Sequence, residues 1–103
     1  MNKYILVLTT VDNKTKAEEI AKFLVEKRIA ACVNIIEGNS FYRWKGKIEE
    51  TKEFLLFIKG KNFQDIEKMI NQIHPYEVPE VIKIEISDGN SEYLKWIDEA
   101  VED

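Results

Sequence analysis

Thiols, imidazoles, prolines and glycines are all scarce in this chain of 103 residues, which holds one Cys, one His, two Pro and four Gly. A lone cysteine, Cys32, excludes an internal disulfide and any zinc site built from several thiolates of one chain. So little Gly and Pro, with 45% hydrophobic and 33% charged residues, is a globular composition too apolar and too regular for a disordered chain. Positive charge is also short. Fifteen Lys and Arg against nineteen Asp and Glu leave a net charge of −4, the wrong sign for a protein that tracks phosphate backbones, so nucleic acid is not an expected partner. Long apolar runs are missing too: the stretch from Met1 to Leu8 breaks at Thr9-Thr10, too short for a signal h-region or a membrane span. A cytoplasmic protein without a membrane partner is expected. At this length one domain, 1–103, is predicted, and any function needing two lobes must come from association.

What is abundant is Lys, Glu and Ile, at 13, 14 and 14 residues, whereas Gln occurs only at 64 and 72. That bias is the kind found in heat-adapted proteins and predicts a thermostable chain.

Periodicity gives the element order. Tyr4 to Thr9 alternates with apolar residues in both sets, as in a central strand covered on both faces. Ala17, Ile20, Ala21, Leu24 and Val25 then follow helical spacing, with Thr15 and Glu18 at capping-box positions and Arg28 a cation suited to the helix C-terminus. Ala31–Trp44 and Ile48–Lys59 read as the long arms of a hairpin joined by Lys45-Gly46, with Gly38-Asn39 expected to mark a bulge or bend in the first arm. Asn62 caps a second helix carrying Phe63, Ile66, Met69, Ile70 and Ile73, and His74-Pro75 ends it. Val81–Ser87 alternates, with Ile82, Ile84 and Ile86 expected inward and Lys83 and Glu85 outward. A last helix carries Leu94, Trp96, Ile97, Ala100 and Val101.

The order βαββαβ with an extra C-terminal helix predicts an α+β chain of ferredoxin-like arrangement, a four-stranded antiparallel sheet with two helices on one face. The other sheet face is left bare. Because three strands are apolar on both faces, a second copy of the chain is expected to cover it, with the long hairpin as a pairing edge and any site at a subunit boundary.

Particular strings add to this pattern. Ala30-Ala31-Cys32-Val33-Asn34-Ile35-Ile36, Tyr42-Arg43-Trp44-Lys45-Gly46-Lys47-Ile48-Glu49, Glu53, Lys59, His74-Pro75-Tyr76-Glu77-Val78-Pro79-Glu80 and Tyr93-Leu94-Lys95-Trp96 resemble, in order and in register from about Leu6 to Ile97, the CutA family of divalent-cation-tolerance proteins. The resemblance implies a fold similar to the PII signalling proteins and an interlocked homotrimer whose hairpins pair between subunits. It implies a role in tolerance of divalent metals, with Cu(II) or another divalent metal as the expected ligand. Copper binding in some members is credited to a Cys at the end of the first strand and paired His residues before the His-Pro-Tyr loop. The matching positions here are Thr9 and Ile73, which leaves His74 as the metal-ligand candidate.

Each candidate has a functional and a structural role to choose between. His74 is a nitrogen ligand suited to Cu(II) or Zn(II), or a hydrogen-bonded loop residue that positions the Pro75-Tyr76 turn. Cys32 is a small hydrophobe of its strand, or part of an intersubunit cleft. Glu53 and Lys59 share one face of a strand about 20 Å apart, and each needs a partner, in an intersubunit salt bridge or a ligand pocket. Tyr76 and Tyr93 can add hydroxyls to that cleft, while Trp44, Phe57 and Trp96 are expected to pack the trimer. The run Glu49-Glu50-Thr51-Lys52-Glu53 is a solvated face or a loose cation site.

No catalysis is expected. Val11-Asp12-Asn13-Lys14 lacks the arginine and glycine of an acylphosphatase-like anion cradle, and Lys59-Gly60-Lys61-Asn62-Phe63 is only a fragment of an RNA-recognition motif. The alternative to metal response is a PII-like regulator that binds a small anion or nucleotide between subunits and signals to a partner protein.

Overall fold

The computed structural model describes residues 3–102, so Met1, Asn2 and Asp103, which the single-domain reading and the N-terminal run included, lie outside the described residues. Seven elements follow in the order β1 (Ile5–Val11), α1 (Lys14–Glu26), β2 (Ala30–Trp44), β3 (Lys47–Gly60), α2 (Phe63–Ile73), β4 (Ile82–Glu85) and α3 (Ser91–Ala100). The sheet order is β2-β3-β1-β4 with every pairing antiparallel, the ferredoxin-like arrangement with one added helix. Among the described residues no helix is long and apolar enough to cross a membrane.

Strand alternation decides which side chains meet the helices. Ile5, Val7 and Val11 of β1 and Leu56 and Ile58 of β3 are buried with Ile20 and Leu24 of α1 and Ile66 and Ile70 of α2 in one core. Each such fully buried aliphatic side chain contributes about 1.5–3 kcal/mol relative to exposure. Thr9 faces the same core, fully buried, and among the described residues its Oγ1 finds no partner. The position that the resemblance matched to a metal-binding Cys is thus turned into the core.

The intervening residues form the opposite face. Leu8 lies across from Phe57 on β3 and from Ile82 on β4, and Leu6 across from Lys59 and Ile84. Directly paired residues share a face, so Ile82 and Ile84 lie on the face away from α1 and α2, not inward as the alternation suggested, and they are 48% and 45% exposed. Lys83 instead sits beside α2, its ammonium 5.9 Å from the Phe63 ring centroid. The strand is also shorter than Val81–Ser87, because β4 pairs with β1 only from Ile82 to Glu85.

Three local readings are corrected by polar chemistry. Asn13, not Thr15, caps α1: it is extended at the helix entry and its side chain accepts the Lys16 N–H at 2.8 Å, while Thr15 is already in the first turn. Arg28 does not serve its own helix. It lies past the α1 end at φ 59 and donates to the carbonyl oxygens of Ala100 and Glu102, at the end of α3. Gly38-Asn39 is no bulge either, since Gly38 pairs with Glu53 and Asn39 with Lys52 in continuous register. The register shift lies between Ala30 and Cys32, beside Gly60, where an added Cβ would meet the Ile29 carbonyl oxygen at 3.0 Å.

Lys45 and Gly46 make the hairpin turn with φ of 50 and 82, both positive as a type I′ connection needs. Asn62 caps α2 by accepting the Asp65 N–H at 3.0 Å, and α2 stops at His74-Pro75. Beyond Glu53 the two arms run out past the helices, leaving Phe41 66% exposed, and the molecule is 44 Å long. Of the apolar residues of α3 only Ile97 is buried. The helix is tied down by Asp98, which accepts from the Tyr4 hydroxyl at 2.7 Å and from the Lys61 ammonium at 2.5 Å.

Candidate functional site

His74, at the end of α2, spends both ring nitrogens on backbone. Nδ1 accepts the Tyr76 N–H at 3.1 Å, so Nε2 carries the proton and donates to the Thr10 carbonyl oxygen at 2.7 Å. No lone pair is left for a metal while both bonds stand. The ring instead fixes the loop, meeting the Tyr76 ring edge-on at 4.8 Å between centroids.

Tyr76, so placed, donates its hydroxyl to Glu53 Oε2 at 2.5 Å. Glu53 is 5% exposed, and among the described residues no Lys, Arg or His forms an ion pair with it. Gly38 lies directly across the ladder and presents no side chain. Burial, then the Glu53 hydrogen bond and charge, push the Tyr76 phenol well above its ordinary value, so it remains a donor. The same carboxylate acts on Glu80, whose pKa is raised by burial first and by the Glu53 charge second.

These groups line a cavity of about 660 Å³ beside the hairpin. Asp12, Glu53, Glu77 and Glu80 bring carboxylates to it, Phe41, Tyr42, Trp44 and Tyr76 bring aromatic rings, and among the described residues no basic one lines it. The Tyr42 hydroxyl is tied to Thr51 Oγ1 at 3.0 Å. Among the described residues no three His, Cys, Asp or Glu side chains lie close enough to hold a metal ion together, so the carboxylates are spread around the cavity and do not form a ligand cage.

A second polar group lies further along the same sheet face. Cys32 and Lys59 are directly paired across β2 and β3, the Lys59 ammonium donates to Asn34 Oδ1, and the Cys32 thiol is 3.9 Å from that oxygen. Tyr93 joins them from α3, its phenol pushed up by burial and then by the Cys32 thiol. Within one protomer the expected cleft of Cys32, Glu53, Lys59, Tyr76 and Tyr93 is therefore two clusters: Cys32, Lys59 and Tyr93 in one, Glu53 and Tyr76 in the other. Trp44 stands at the cavity near the hairpin tip, Phe57 is half-buried opposite Asn34, and Trp96 is exposed with its ring 5.5 Å from that of Tyr93.

Asp12, Glu77, Glu80 and Tyr42 had not stood out as site residues. The Asp12 carboxylate reaches the cavity because β1 continues two residues past Thr9. Asn34 gave no sequence signal; only the ladder pairing places it beside Lys59.

Residues 5–100 match the family model described as CutA1 divalent ion tolerance protein. The chain is 45% identical over 97 residues to the divalent-cation tolerance protein CutA of Thermus thermophilus, covering 91% of this chain and 94% of that protein. Among solved structures, CutA from Xylella fastidiosa superposes with a TM-score of 0.94 at 37% identity, covering 97% of this chain and 99% of that one. CutA1 from Pyrococcus horikoshii superposes at 0.92 with 39% identity, covering 96% and 99%.

Proposed function

This chain belongs to the CutA1 divalent ion tolerance family, and from that premise we propose that it answers to divalent cations by holding them in the cavity around Glu53. The observation that carries the reading is a nearly buried carboxylate whose only hydrogen-bond partner among the described residues is a phenol, in a cavity that those residues line with three more carboxylates and no basic side chain. A buried charge without a counter-charge is costly, and a bound cation offsets that cost. Glu80 adds to it: burial first and the Glu53 charge second raise its pKa, and a cation relieves the second of these.

The donors are oxygens spread around a roomy cavity, which suits a divalent ion that keeps part of its water shell. Such a site discriminates weakly among divalent ions, and Cu(II) enters as the ion that oxygen and nitrogen donors bind most tightly, not as a ligand of His74. No catalytic step is assigned to the chain.

The working unit in this reading is a homotrimer. Its support is the sheet face away from α1 and α2, where Leu6, Leu8, Leu55 and Phe57 are only half-buried and Ile36, Ile82 and Ile84 are exposed. A sedimentation mass of three chains at micromolar concentration is expected, and a mass of one chain overturns it. The PII-like alternative has one observation in its favour: among the described residues Lys59 has no carboxylate partner and shares an amide oxygen with the Cys32 group, a place for a small anion.

Equilibrium dialysis against Mg(II), Mn(II), Zn(II) and Cu(II), with metal analysis of the retained protein, tests the cation reading. Retention of several ions, lost in Glu53→Gln, is the expected result. Retention of Cu(II) alone, lost in His74→Ala and kept in Glu53→Gln, overturns it.

A further inference from the structure

The two prolines of the chain, Pro75 and Pro79, fall in one segment, the loop that joins α2 to β4. We propose that residues 75–80 of this loop form a gate on the Glu53 cavity, latched by the Tyr76–Glu53 hydrogen bond and opposed by the charge of Glu80. The inference goes beyond the cation reading and holds for the cavity with or without an ion.

The segment has little of its own to keep it in place. Among the described residues none from 75 to 80 makes a backbone–backbone hydrogen bond, and proline contributes no amide donor at 75 and 79. Its ends are fixed, since Ile73 and Val81 pack against the core. Between them Tyr76 holds the segment inward, with its N–H on His74 Nδ1 at 3.1 Å and its hydroxyl on Glu53 Oε2 at 2.5 Å. Val78 is 70% exposed, and Glu77 and Glu80 are exposed too. A stretch tied at both ends and by one residue between them is of the low-stability kind that opens without the core.

The cavity gives that motion a consequence. Tyr76, Glu77, Val78 and Glu80 line it from the loop, whereas Thr10, Thr51 and Glu53 line it from strands of the sheet. In a trimer that fixes the sheet and the hairpin, the loop stays the side of the cavity that can move. Closing it has a cost. Glu80 is brought near Glu53, and the charge of Glu53, after burial, raises the Glu80 pKa. The Tyr76 bond pulls the gate shut while the two carboxylates push it open, and opposed terms of this kind bring two positions close in free energy.

The test is site-resolved amide hydrogen exchange on the full chain as it assembles in solution, in increasing concentrations of sub-denaturing urea. The Tyr76 N–H is the reporter, because its bond to His74 Nδ1 must break when the gate opens. Its exchange is expected to be faster than that of Leu56 and Ile58 in the strand β3 and independent of urea, the mark of opening without unfolding. In Tyr76→Phe the amide at 76 should exchange about tenfold faster, and in Glu80→Gln about threefold slower. The parent chain needs no variant for its part of the test, and circular dichroism checks that both variants fold. Exchange of Tyr76 in step with Leu56 and Ile58 at every urea concentration, as when a neighbouring copy clamps the loop, overturns the proposal. So does an unchanged rate in Tyr76→Phe or in Glu80→Gln. No metal is added, so the cation reading can fail while the gate stands, and the gate can fail while that reading stands.

Discussion

The Tyr76 hydroxyl donates at 2.5 Å to Glu53 Oε2 across 23 positions of sequence, joining the loop after α2 to the middle of the long hairpin. The bond is set up from behind by His74, which holds the Tyr76 N–H with one ring nitrogen and the Thr10 carbonyl with the other. A strand end, a helix end and a hairpin are thus fastened at one carboxylate, and that carboxylate faces the cavity.

Removing the phenol donor leaves a 5% exposed carboxylate without its hydrogen bond. Tyr76→Phe is expected to lower unfolding stability by about 1–3 kcal/mol, as for other hydrogen bonds to buried charged groups. Urea denaturation measures this. Glu53→Gln combined with Tyr76→Phe should cost less than the two single changes summed, and strict additivity would show that the pair is not coupled.

Stability in acid should depend on Asp98. Its pKa is lowered, chiefly by the hydrogen bond from Lys61 and then by that from Tyr4, so the folded carboxyl binds its proton less readily than the unfolded one. The contribution is therefore full above the ordinary aspartate value of 3.8 and is lost as pH falls through the lower folded value. Thermal midpoints of the parent chain and Asp98→Asn should differ at neutral pH and converge below that value. A gap that stays constant with pH contradicts the assignment.

Thr9 offers a change in the stabilising direction. Its hydroxyl is fully buried and without a partner among the described residues, so Thr9→Val, nearly the same shape, should raise stability by about 1 kcal/mol or more. A lower midpoint in the valine variant would mean that the hydroxyl has a partner in solution, such as a buried water.

Most of the fold was legible because its signals are local. The helical spacing of Ile20 and Leu24, the Asn62 cap, the Lys45-Gly46 turn and the break at His74-Pro75 each act within a few residues, and each appears where its chemistry places it. What was misread depends on partners far away in sequence. Arg28 was assigned to its own helix end because the carbonyls that it meets belong to Ala100 and Glu102. Ile82 and Ile84 alternate as an inward face does, but which side counts as inward is fixed by their pairing with Leu8 and Leu6.

The site divided in the same way. Glu53 stood out as a charge on an apolar strand and Tyr76 as a hydroxyl near it in role, yet their bond depends on a loop whose course His74 sets. Lys59 and Cys32 share the sheet face with Glu53, but only the ladder shows that they pair with each other and leave Glu53 to Tyr76. The sole histidine was a natural ligand candidate by residue type. Its other reading, a hydrogen-bonded loop residue that positions the Pro75-Tyr76 turn, is the one that its two backbone bonds match.

A cation site built on Glu53 and one built on His74 respond differently to substitution. Titration of Mn(II) into the parent chain, Glu53→Gln and His74→Ala, followed by water-proton relaxation, tests the difference most directly. Expected are saturable binding in the parent chain, loss in Glu53→Gln, and binding in His74→Ala that persists with at most a modest drop from loosening of Tyr76. Binding that survives Glu53→Gln and vanishes in His74→Ala would contradict the Glu53 site.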